Sequence, residues 1–133
     1  MRNLLLLIVS LLPVTLAAQN AAPVCDGRMA TVRVSEIKQG GTMEGFLAAV
    51  AAHKAWYLGK GSADEIFASR VVVRDEKTHA QMYSDKQFMT FHIRAGNGPG
   101  PKHDGGYDAF VKLYREHSDI KSEYNICMPN PTK

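Results

Sequence analysis

Several things are scarce in this 133-residue chain, and each scarcity removes a class of function. It has only two cysteines, Cys25 and Cys127, and neither belongs to a Cys-x-x-Cys or lies near a second ligand. Redox catalysis and thiolate zinc sites are therefore poor readings. Its five histidines, His53, His79, His92, His103 and His117, form no H-x-H or H-E-x-x-H pattern, so no metal site is expected. Lysine and arginine form no cluster, and the formal charge of +3 is too small to argue for nucleic acid. The glycine-rich run Gly96 to Gly106 lacks the G-x-x-x-x-G-K-[ST] signature, and Pro99 and Pro101 remove amides that a phosphate would need. No apolar run approaches the roughly 20 residues that span a bilayer.

The short apolar run at the front reads as an export leader. Met1-Arg2-Asn3 is a positive start, Leu4 to Leu12 is apolar apart from Ser10, and Pro13 breaks it. Small residues around Thr15-Leu16-Ala17-Ala18-Gln19 suit cleavage after Ala17 or Ala18. The expected organisation is a signal peptide over 1–18, a lead-in over 19–28 and one small domain over 29–133. The expected location is periplasmic or secreted, with no membrane attachment after cleavage. In an oxidising compartment an even pair of cysteines is expected to be bridged. The closed loop of about 100 residues is worth roughly 2–5 kcal/mol.

Periodicity supplies the elements. Met29 to Lys38 alternates, with Ala30, Val32 and Val34 on one face and polar groups on the other, as in a half-buried strand. Thr42 is a fair N-cap for a helix whose stripe is Met43, Phe46, Val50, His53 and Tyr57, flanked by Leu47 and Trp56. Gly59 and Gly61 supply its stop. Ile66 to Arg74 is rich in β-formers, residues 75–86 are hard to read, and Phe88 to Ala95 is a clear strand. A second helix is expected over Tyr107 to Ile120, with Tyr107, Phe110, Val111 and Tyr114 on its stripe. Ser122 to Met128 is the last strand.

The order β-α-β-β-α-β gives an α+β fold of ferredoxin-like type, an antiparallel sheet with two helices on one face. That topology lays the last strand antiparallel to the first. The end of one then lies beside the start of the other, where Cys127 and Cys25 stand.

With that order, the run Val32-Arg33-Val34-Ser35-Glu36-Ile37-Lys38, the helix pattern Phe46-x-x-x-Val50-x-x-His53-x-x-Trp56-Tyr57 and the ending Tyr107-x-x-Phe110-x-x-x-Tyr114 resemble the dimeric α+β barrel superfamily. That superfamily includes antibiotic-biosynthesis monooxygenase-like and NIPSNAP-like domains. The resemblance implies a homodimer whose sheets pack face to face. It also implies a cleft between sheet and helices that takes a flat, apolar or aromatic molecule. The Asn, Trp and His of haem-degrading relatives find no match here, because the first strand has no Asn and Trp56 lies in a helix pattern.

Three functions stay open: a module binding a small apolar or aromatic ligand, a cofactor-independent monooxygenase-like or isomerase-like enzyme, and a structural dimeric module without ligand. For the enzyme, His53 is the candidate base, with Tyr57 or His92 orienting substrate, since imidazole titrates near neutral pH. A histidine on an apolar stripe is equally suited to a satisfied place in the core. Phe46, Val50, Trp56, Phe110 and Tyr114 are the candidate ligand-binding residues. Tyr107, Tyr114 and Tyr124 can line a pocket or serve as core rings. His92 travels with Phe88, Thr90 and Arg94, but period two does not say whether that face meets the helices or a partner. The Gly96 to Gly106 loop can lie over the cleft as a lid or stand idle at the surface.

Overall fold

A computed structural model describes residues 25–129; residues 1–24, which include the expected export leader, and 130–133 lie outside the described residues. The elements are β1 (Arg28–Ile37), α1 (Met43–Gly59), β2 (Glu65–Arg74), β3 (Gln81–Ile93), α2 (Gly105–His117) and β4 (Ser118–Met128). One antiparallel sheet has the order β2-β3-β1-β4 and remains open, with both helices on one face, as the ferredoxin-like order requires. No helix among the described residues is long and apolar enough to cross a membrane.

The helices are delimited by their caps. Thr42 accepts the Gly45 N–H at the start of α1, and Gly61 takes the left-handed conformation (φ 74°) just past its end. Asp104 caps α2, accepting from the amides of Gly106 and Tyr107. Gly45 has a packing reason to be glycine: a Cβ there would fall 2.2 Å from the His117 ring. That ring reaches the start of α1 from the end of α2, where its Nδ1 accepts the Thr42 N–H at 3.2 Å. The helical cost of one glycine thereby admits a contact between the two helices.

Residues 75–86, illegible as sequence, form the tip and far half of a β2–β3 hairpin. Asp75 closes the turn by accepting from the amides of Lys77 and Thr78, and His79 adopts φ 60°. β3 therefore begins at Gln81 rather than at Phe88. A register shift between Arg70 and Val72 separates the part of the hairpin joined to β1 from the part projecting beyond it. The second helix is shorter than expected, because β4 starts at Ser118 and pairs along all of β1.

The core lies on the side of the helix–sheet layer where α1 covers β2 and β3. Phe46 (0 % exposed) and Phe88 (2 %) meet at 5.6 Å between ring centroids, with Val50, Ile66, Tyr57 and Phe110 around them. Truncating either ring would cost about 3–5 kcal/mol. The face of β1 that carries Ala30, Val32 and Val34 turns away from the helices. Thr31, Arg33 and Ser35 turn toward them, opposite His92, Thr90 and Phe88 of β3. A half-apolar strand ordinarily points its apolar side at its own helices, and here that pattern is inverted.

Cys25 and Cys127 are joined, with Cα atoms 5.4 Å apart across the paired ends of β1 and β4. The bridge closes a separation of 102 residues, so its loss is worth about 2–4 kcal/mol. For a domain of this size that predicts a fall in melting temperature on the order of 10–20 °C. Thermal melts with and without reductant, and of Cys127→Ser, measure it; a shift under a few degrees would show that strand pairing alone fixes this edge.

Candidate functional site

Beside the Phe46–Phe88 core, helices and sheet separate around a cavity of about 930 Å³. Its floor is the helix-facing side of the sheet, with Thr31, Arg33 and Ser35 from β1, Thr90 and His92 from β3, and Glu123 from β4. Its roof is aromatic, with His53 and Tyr57 from α1 and Tyr107, Phe110 and Tyr114 from α2. Asn97 to Gly100 lie along one side, where the Gly98 carbonyl accepts from the Arg94 guanidinium. The glycine-rich loop thus borders the cavity.

The expected site residues divide into two groups. His53, Tyr57 and His92 come together: the His53 ring is 5.1 Å from His92 and 5.3 Å from Tyr57, and Tyr57 is 4.5 Å from His92. Phe110 and Tyr114 join them in the lining. Phe46 and Val50 instead lie in the packed core outside it. Trp56 also lies outside, donating its indole N–H to Asp104 at 2.7 Å while packing on Tyr107. Tyr124 is on the opposite face of the sheet and 56 % exposed.

His53 is held in place by stacking and a single hydrogen bond. Its ring lies 4.4 Å from Phe110 at an interplanar angle of 15°, and its Nδ1 is 3.3 Å from the Tyr114 hydroxyl. Burial pushes the imidazole down to about 3, and the positive potential of His92 and Arg33 acts in the same direction. Burial pushes the Tyr114 phenol well up, so that pair stays neutral at pH 7.

His92 is placed differently. Its Nε2 is 2.8 Å from Asp64 Oδ2, and Asp64 Oδ1 accepts the Ala95 N–H at 2.9 Å. Both side chains are mostly buried, at 15 % and 10 % exposed. Burial raises the Asp64 carboxyl, but bonds from Ala95, His92 and Ser62 outweigh it and hold the group below its usual range. Asp64 carries no sequence signal of its own, because it sits one residue ahead of β2. Strand parity nevertheless places it: Asp64 shares the helix-facing side with Ile66, whose partner across the strands is His92.

Among the lining groups that keep capacity for a ligand, four stand on the sheet and α1. The hydroxyls of Ser35, Tyr57 and Thr90 and the Nδ1 of His92 have no hydrogen-bond partner among the described residues. No buried side-chain nitrogen or oxygen among those residues lacks a partner. These four atoms therefore reach the accessible surface of the cavity. Arg33, by contrast, is engaged by Glu123 at 2.6 Å. Among the described residues no three His, Cys, Asp or Glu side chains converge to hold a metal.

The depressed His53 has a measurable consequence. Unfolded, the imidazole binds a proton below about pH 6.5, whereas folded it stays neutral down to about 3. Stability should therefore fall with acid across that window, by about 1.4 kcal/mol per pH unit. Denaturant melts of wild type and His53→Phe between pH 7 and 4.5 isolate the effect; the variant's profile should be flatter by about 2–3 kcal/mol over the range, and parallel profiles would refute the burial argument. Comparison of the chain with protein-family models, with curated proteins and with solved structures finds no match.

Proposed function

We propose that this chain is an exported domain that binds a small planar aromatic molecule carrying hydroxyl or carbonyl groups. The cavity supports this reading most directly. Its volume lies within the usual range for small-ligand sites, and it pairs an aromatic roof with a floor of unengaged donors and acceptors. A flat apolar ring suits Tyr107, Phe110 and the edge of Tyr57, while polar substituents suit Ser35, Thr90 and His92. A module without ligand would close this layer with side chains, as happens around Phe46 and Phe88. Export rests on the leader pattern over 1–18 and fits the Cys25–Cys127 bridge, which persists outside reducing compartments.

The ligand assignment is tested by isothermal titration with 2-naphthol and with phenylpyruvate. Micromolar binding is the expected order for a cavity of this kind. Thr90→Phe, which fills the floor, should weaken it at least tenfold while leaving the melting temperature within a few degrees. Binding of neither probe, or equal affinity in the variant, would end this reading.

The same reading includes a homodimer of the dimeric α+β barrel type. Its support is the inverted sheet, whose outer face carries Phe67 and Phe91 stacked at 4.9 Å, beside Tyr124 and Ile126. Phe67 is 43 % and Tyr124 56 % exposed, an unusual density of large apolar groups for a solvent face. Sedimentation should find a dimer in the wild type and a folded monomer for the Phe67→Glu, Tyr124→Glu double variant. A monomeric wild type would remove the dimer and leave the ligand site untouched.

A further inference from the structure

We propose that the Asp64–His92 pair is a general acid–base dyad, acting with the Tyr57 hydroxyl to enolise an aromatic carbonyl compound bound in the cavity. The inference rests on the ligand reading above and adds a reaction class to it. Three features of the geometry carry it.

First, His92 has the orienting partner that a base needs. Asp64 accepts from Nε2–H at 2.8 Å, which fixes the tautomer and leaves the lone pair on Nδ1. Asp64 is itself fixed by the Ala95 amide, so the pair is held from both strands of the hairpin. Second, Nδ1 is the unengaged nitrogen, and it reaches the cavity surface. His53 fills this role less well, because among the described residues no carboxylate orients its ring and the residue is only 5 % exposed. Third, the Tyr57 ring lies 4.5 Å from His92, edge to face, and its hydroxyl is likewise unengaged. A base and a hydrogen-bond donor thus stand side by side at one wall. Burial favours the protonated phenol of Tyr57, which keeps it a donor at neutral pH.

The step balances without an oxidant, a reductant or a second substrate. His92 Nδ1 takes a proton from the carbon next to the carbonyl. The C–H electron pair becomes the new C=C bond, and the carbonyl π pair moves to oxygen, where the Tyr57 hydroxyl donates a hydrogen bond. The imidazolium is stabilised by the Asp64 carboxylate. Return of the proton to carbon restores the ketone, and return to oxygen gives the enol. In D₂O the imidazolium exchanges with solvent, so the carbon acquires deuterium.

Phenylpyruvate is a suitable probe, since it is aromatic and its C3 protons are acidic. Proton NMR in D₂O follows loss of the C3 signal, and isothermal titration on the same samples measures affinity. Wild type should accelerate exchange at least 100-fold over buffer, the lower end of what a positioned base supplies. Asp64→Asn should lose most of that acceleration with affinity within about threefold. His92→Gln should lose all of it. Tyr57→Phe leaves the Asp64–His92 bond intact and should still slow exchange at least tenfold, which keeps the test valid should Asp64→Asn fold poorly. If wild type binds phenylpyruvate without exchange above buffer, the dyad is only an internal tie; the proposal fails and the ligand reading stands. Binding of 2-naphthol alone likewise overturns the dyad and leaves the ligand reading in place. If neither probe binds, both fail.

Discussion

The register between β1 and β3 is the constraint from which the rest of the molecule follows. Antiparallel pairing sets Ser35 opposite Phe88, Arg33 opposite Thr90 and Thr31 opposite His92, and all six side chains face the helices. Along those few residues the surface changes from apolar to polar. Where Phe88 stands, Phe46 descends from α1 and the layer closes. On the β1 side of Thr90 and His92, where Thr31, Arg33 and Ser35 stand, apolar packing would strand polar groups, whereas on the β2 side Ile66 joins the core. The sheet on the β1 side stays uncovered by apolar packing, and the cavity results. A slip of one residue would send Thr31, Arg33 and Ser35 to the other face and bring Ala30, Val32 and Val34 beneath the helices. The product would be an ordinary filled core without a site.

This inversion also marks what the sequence could and could not disclose. Element order was legible because it depends on local signals: Thr42 ahead of α1, alternation in β1 and β3, and the stripe of α2. The sulfur bridge followed from that order and from the compartment implied by the leader pattern. Alternation in β1, however, carries no sign. It groups Ala30 with Val32 and Val34, and the direction they point is set by which face the two helices cover. Phe46 and Val50 fit the same stripe as His53 and Tyr57, yet the first two meet only the packed core while His53 and Tyr57 also line the cavity. Which members of one stripe reach a cavity is a tertiary property. The β2–β3 turn was obscured because Asp75 closes it by side-chain bonds to Lys77 and Thr78 rather than by Asn-Gly or Pro-Gly.

The two cavity histidines show how one residue type takes opposite roles within 5.1 Å. His53 lies flat on Phe110, and its hydrogen bond among the described residues is to a neutral phenol, so the field around it opposes charge. His92 has a carboxylate at one nitrogen and open cavity at the other. Their proximity reinforces the difference, since a positive charge on either ring disfavours one on the other. The His53 ring also forms part of the roof.

A small domain that keeps half of its main layer open gives up apolar burial that would otherwise stabilise it. Two features of the chain offset the loss, and both act at the cavity's own boundaries. The Cys25–Cys127 bridge secures β4 to β1, the strand pair that forms one side of the floor, so this edge cannot peel away and admit bulk water. Asp104 gathers the indole of Trp56, the ammonium of Lys60 and the first amides of α2, and so fastens the two helices together above the roof. These bonds hold Asp104 well below the usual carboxylate range, so the clasp keeps its charge well below neutral pH. The cavity is thus kept open by covalent and ionic ties at its margins rather than by packing within it. The proposed ligand site depends on that division, because packing that filled the interior would stabilise the fold and exclude a ligand together.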